Sequence, residues 1–130
     1  MRNNLLDEIM ADYAGIVEAI GQFRAEWFLH FMGLADFPAY RAGGRLENYR
    51  GNPPLSDTAF LLLQEQVYRA AHHVEIFDRC RVCRNPRNMK STTAAVLAIS
   101  GLTLDSIASV NGSEMLETLF TDLLSKIVTV

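Results

Sequence analysis

Cysteine is scarce in this chain, two in 130 residues. That excludes the disulfide-dense scaffolds of small secreted domains and leaves a reducing, cytoplasmic setting as the expectation. Long apolar runs are missing as well. No stretch approaches the roughly 18 residues that a membrane-spanning helix needs, so no membrane partner is expected. There is no basic excess either, with 12 Lys and Arg against 15 Asp and Glu and a pI near 5.5. Such a balance argues against a general binder of nucleic acid. The start of the chain, Met1-Arg2-Asn3-Asn4-Leu5-Leu6-Asp7-Glu8, turns acidic too early for a secretory signal. Period-two alternation is nowhere sustained, so little strand is expected. What the sequence does carry is helical periodicity, over a length that makes one domain, residues 1–130, with a core of its own. It predicts an all-α fold, a helical bundle of two long helices and about three shorter C-terminal ones.

The first helix is predicted over residues 3–32, with Gly33 as its left-handed cap. Leu6, Ile9, Tyr13, Ile16, Ile20, Phe23, Trp27 and Phe31 alternate steps of three and four and form its buried seam. Gly15 and Gly21 each cost about 1 kcal/mol against alanine inside a helix, which points to another backbone passing close by, with a kink as the alternative. Between residues 34 and 55 the periodicity fades. Asp36 before Phe37-Pro38 reads as the cap of a short helical turn closed by Gly43-Gly44, and Phe37, Tyr40, Leu46 and Tyr49 are expected to order the segment by packing. A second long helix is predicted from Ser56 or Asp57 to about Arg81, with Phe60, Leu63, Val67, Ala70, Val74 and Phe77 inward. It pairs with the first as an antiparallel hairpin, and Pro86 closes it off. Thr92 or Thr93 opens a helix stopped by Gly101, Thr103 caps another that runs to Val110, with Asn111-Gly112 as its stop, and Ser113 caps the last.

Roughly opposite the first seam, Glu8, Asp12, Gly15, Ala19, Gln22, Glu26 and His30 stay within roughly 40° of one line down the helix. A carboxylate and an imidazole one turn apart, as in Glu26 and His30, can share a divalent metal. Glu8 and Asp12 have the same spacing. One ion cannot serve both pairs, because the helix rises about 33 Å from Glu8 to His30. These four are the candidate metal ligands, weighed against a plain solvated helix face.

The string Asp7-Glu8-Ile9-Met10-Ala11-Asp12-Tyr13-Ala14-Gly15 resembles the third-ligand helix of gluzincin-type zinc metallopeptidases. In that family a Glu on this helix completes the zinc site, and an Asp four residues on, within Glu-x-x-Ala-Asp, orients a histidine ligand. The resemblance implies Glu8 as zinc ligand, Asp12 as its support, and this chain as the C-terminal part of a zincin-like protein. The departure is that His-Glu-x-x-His, source of two ligands and the general base, is missing. The histidines are His30, His72 and His73, none with a histidine four residues away. Alone, the chain is expected to hydrolyse no peptide and to carry no cofactor, zinc being the alternative.

Cys80-Arg81-Val82-Cys83 is a lone CxxC. A redox role needs a strand-helix setting, and a zinc site needs two further ligands. His72 and His73 are the nearby candidates, and they reach only if the helix breaks near Asp78. The remaining reading is a pair of packing cysteines. His72 is expected to pair with Glu75, and His73 to be half-buried and hydrogen-bonded. The basic run Arg79, Arg81, Arg84, Arg87 and Lys90 lies at a helix C-terminus, where the dipole favours cations, and no aromatic is interleaved for base stacking. Leu102 to Leu124 has a helix-turn-helix outline, but its second helix begins Ser113-Glu114-Met115-Leu116-Glu117, which phosphate repels. The expected function is a non-enzymatic helical domain acting by association, as a homo-oligomer or with a protein partner. A metal-binding remnant is the alternative. The contact is expected on the first helix, where Tyr13, Phe23, Trp27 and Phe31 offer more aromatic surface than one neighbouring helix covers.

Overall fold

The computed structural model describes residues 2–51, 53–84 and 88–129. Six helices follow one another: α1 (Arg2–Ile20), α2 (Ala25–Met32), α3 (Asp57–Arg84), α4 (Met89–Ser100), α5 (Leu104–Ala108) and α6 (Gly112–Thr129). A 3-10 helix, Arg45–Tyr49, lies between α2 and α3, and there is no strand among the described residues.

The predicted first helix is in fact two. It breaks at Gly21, whose φ of 80° is a left-handed value that glycine adopts without steric penalty. Arg24, the N-cap of α2, is extended and supplies no side-chain cap. The caps come from α3 instead. Phe23 N–H donates to Asp78 Oδ2 at 2.8 Å, and Ala25 N–H donates to Glu75 Oε1 at 2.7 Å. Two carboxylates thus sit at the positive end of α2, satisfying donors that a helix start leaves open. Gly21 offered a kink as one reading, but periodicity within residues 3–32 could not give the turn its size, because its partners lie 50 and 55 positions away.

The elbow re-phases the seam. In α1, Leu5, Ile9, Tyr13, Ile16 and Val17 are buried, near the predicted line. In α2 the buried residues are Ala25, Phe28, Leu29 and Met32, so Trp27 and Phe31 turn outward, 43% and 47% exposed. A β-carbon at Gly15 or Gly21 would meet no atom within 4 Å, so neither marks a close backbone approach, and Gly21 is instead the kink that was the alternative reading. Gly33 does cap α2, at φ 91°.

α3 is the spine of the domain. It carries α2, α5 and α6, while α1 rests chiefly on α4. The expected pairing of the two N-terminal seams therefore holds for α2 and is replaced for α1. Between α2 and α3 the chain makes a turn, not a short helix, at Asp36-Phe37-Pro38, with a cis Phe37–Pro38 bond. Its aromatics order it as expected: Phe37 stacks on Tyr68 at 4.5 Å, Tyr40 meets Phe60 edge-on at 5.4 Å, and Leu46 is fully buried.

α4 begins before Thr92 because Asn88 and Ser91 form a reciprocal capping box. The Ser91 N–H donates to Asn88 Oδ1 at 2.9 Å, and Asn88 N–H donates to Ser91 Oγ at 3.0 Å. Thr103 caps α5 as predicted. Gly112 opens α6 where a stop to the preceding helix was expected. It is pressed against α5, and a β-carbon there would run into the Ile107 carbonyl oxygen. Pro86 lies outside the described residues.

Candidate functional site

Between α2 and the middle of α3 opens a cleft of about 620 Å³, lined by Glu26, Trp27, His30 and Phe31 on one side and Tyr68 and His72 on the other. Helical spacing builds both walls: Trp27 and Phe31 are one turn apart on α2, Tyr68 and His72 one turn apart on α3. The Tyr68 ring is held between the Phe37 stack and the edge of His72, at 4.5 and 4.6 Å. Phe31 is held by His30 at 5.5 Å and by the Arg45 guanidinium, 5.2 Å from its centroid. His72 therefore packs on Tyr68, and its expected partner Glu75 is engaged elsewhere, with Ala25 N–H and with Arg79 at 2.8 Å.

The candidate ligands separate into two pairs. Glu26 and His30 are exposed on α2 at the cleft, and Arg24 forms an ion pair with Glu26 at 2.5 Å. Glu8 and Asp12 share one guanidinium on the far side of the elbow. Arg45 Nη1 reaches Glu8 and Nη2 reaches Asp12, both at 2.8 Å. Burial, the larger effect, raises both carboxyl pKa values; for Glu8 the neighbouring Asp12 charge adds to it, and for both Arg45 opposes it. Spacing on one helix identified these carboxylates, but their cation, Arg45, opens the 3-10 helix 33 positions beyond Asp12.

A second polar cluster, which sequence reading missed, is buried where four elements meet. Asp78 and Arg81 have side chains only 2% and 0% exposed. Tyr13 OH donates to Asp78 Oδ1 at 2.6 Å, Arg81 Nε donates to Tyr13 OH at 2.8 Å, and Arg81 Nη1 donates to Ser91 Oγ at 3.0 Å. The Arg81 guanidinium also lies 5.8 Å from the Phe120 centroid on α6. In the sequence Arg81 stands at the end of the second helix, between two cysteines and within a basic run, none of which points to burial. The available signal was its step of three from Asp78 and of four from Phe77, which puts all three on the seam face.

No histidine is brought to the CxxC among the described residues. α3 runs on past Asp78 to Arg84, so the break needed to bring His72 or His73 to the cysteines is absent. Cys80 is a half-buried free thiol, and the Cys83 side chain lies outside the described residues. His73 is half-buried as expected, its Nδ1–H donating to the Ile107 carbonyl at 2.6 Å. Among the described residues no group of three or more His, Cys, Asp or Glu is placed to hold a metal ion. No helix among them is long and apolar enough to cross a membrane.

These features define an all-helical domain with a buried ionic hub and an open aromatic cleft. Residues 1–111 match a family of unknown function (DUF7005), and the chain belongs to that family. The match ends just before α6, whose Leu116 and Phe120 are nevertheless 0% and 1% exposed and complete the core. No curated protein and no solved structure matches the chain.

Proposed function

We propose that this chain is a non-enzymatic helical domain that works by association, through the face of α2 that carries Trp27 and Phe31. One observation carries the reading: two large rings stand a turn apart and nearly half exposed, while Phe28, Leu29 and Met32 between and beside them are buried. Aromatic side chains are enriched at the cores of protein interfaces, where closing water off their remaining surface is favourable. A second copy is the partner assigned, since a two-fold dimer uses one face twice and is the commonest closed arrangement.

The gluzincin resemblance supports a different partner, a zincin-like protein whose zinc Glu8 would complete. Arg45 bridges Glu8 and Asp12 and would have to be displaced for that, so association is the better supported of the two. Light scattering at micromolar concentration tests it. The expected result is a dimer or larger species that Trp27→Ser and Phe31→Ser convert to monomer. A strict monomer with a folded circular-dichroism spectrum overturns it.

A further inference from the structure

We infer that the cleft between α2 and α3 is a recognition site for an organic cation, an alkylated ammonium group carried on a small apolar body. The volume, about 620 Å³, lies in the range of small-ligand pockets. Three of its walls are aromatic faces or edges, from Trp27, Phe31 and Tyr68, and Glu26 adds a carboxylate at the rim. Rings attract a cation placed over their faces through their quadrupole, with indole the strongest. A diffuse, weakly hydrated alkylammonium is the cation that an open aromatic site can desolvate most readily.

The rings are already positioned. Tyr68 is fixed by contacts on two sides, from Phe37 and His72. One side of Phe31 already carries the Arg45 guanidinium, 5.2 Å from its centroid, so the incoming cation is left Trp27 and the side of Phe31 that remains exposed. Glu26 is paired with Arg24, but the two side chains are 67% and 42% exposed. A pair so exposed contributes little, so the carboxylate is shared with an incoming cation at small loss. The association reading uses the same two rings, so a dimer through them and a cation in the cleft exclude one another, and light scattering beside the titration tells which holds.

The chain holds a single tryptophan, Trp27, so tryptophan fluorescence, excited selectively over the tyrosines, reports on this wall of the cleft. Choline is titrated against its neutral carbon isostere, 3,3-dimethylbutan-1-ol, and against a peptide carrying one trimethylated lysine. The expected result is saturable quenching by choline or by the peptide and none by the isostere at equal concentration. The tighter of the two cations tells whether the ammonium comes free or on a protein side chain. Tyr68→Leu, checked for fold by circular dichroism, should weaken cation binding roughly tenfold, and Glu26→Gln should weaken it by a smaller factor. Equal binding of the isostere, or no saturable response to either cation, overturns the inference.

Discussion

The phenol of Tyr13 in α1 donates its hydrogen bond to Asp78 in α3 at 2.6 Å, across 65 positions of sequence. The same oxygen accepts from Arg81, so one hydroxyl stands between the two members of a buried ion pair. Burial, reinforced by the Asp78 charge, raises the Tyr13 pKa far above its ordinary value and keeps it a donor. Through this hub α3 holds α1 by Tyr13, the elbow before α2 by the Phe23 amide, and α4 by Ser91. Two charges so deeply buried are tolerated because each has several partners; strip one and the other is left costly.

Removing Asp78 should therefore be the more damaging change. Asp78→Ala leaves the Arg81 charge buried without its counterion and is expected to cost about 3–5 kcal/mol in urea unfolding. Tyr13→Phe keeps the ring and deletes only the hydroxyl, for an expected loss of about 1–3 kcal/mol. If the two variants are equally mild, the hub is not what joins these helices.

Two helical glycines should respond in opposite directions. At Gly15, inside α1, a methyl group would meet nothing within 4 Å, so Gly15→Ala is expected to raise stability by about 0.5–1 kcal/mol through helix propensity alone. At Gly112 the same methyl would run into the Ile107 carbonyl and come within 2.9 Å of His73 Nδ1. Gly112→Ala should lower the thermal midpoint and loosen the α5–α6 junction. A rise in midpoint there would mean that the junction opens freely.

The cysteines give a metal test. With α3 continuous through Asp78 to Arg84, Cys80→Ala combined with Cys83→Ala is expected to leave the metal content of purified protein unchanged by elemental analysis. Loss of bound zinc in the double variant would show that these thiols hold an ion.

What the sequence disclosed was what lies within one turn of helix. The seams of α1 and α3, the Gly33 and Thr103 caps and the helical class all rest on residues a few positions apart, where spacing is informative. Gly21 marked a place where a kink could fall, but the size of the elbow was not legible, because its capping carboxylates, Glu75 and Asp78, belong to another helix and the apolar pattern runs through Gly21 without a gap. Trp27 and Phe31 were placed on the wrong side for the same reason: a bend of unknown size shifts the phase of everything after it. The cleft needed Tyr68 and His72 beside α2, a tertiary fact. The Glu8–Asp12 pair was legible as a pair, but Arg45 as its occupant was not.

That pair yields a pH dependence with a definite sign. Burial raises the pKa of Glu8 from an ordinary 4.5 and that of Asp12 from 3.8, against the opposing pull of Arg45. A carboxyl with a raised folded-state pKa binds its proton more tightly in the native protein than in the unfolded chain. Between the two values the native state holds more protons, so the contribution of these groups to stability falls as pH rises through the window and is largest below it. Glu8→Gln with Asp12→Asn removes that dependence. The wild type should therefore gain stability relative to the double variant as pH drops from about 7 to about 4, measured by urea unfolding at each pH. Arg45→Ala, which deletes the one opposing charge, should steepen the trend. If instead the wild type loses ground to the double variant on acidification, the ion pair with Arg45 outweighs burial. The two carboxylates would then be held ionised, the state in which zinc binds them, and the metal reading of Glu8 would regain its footing.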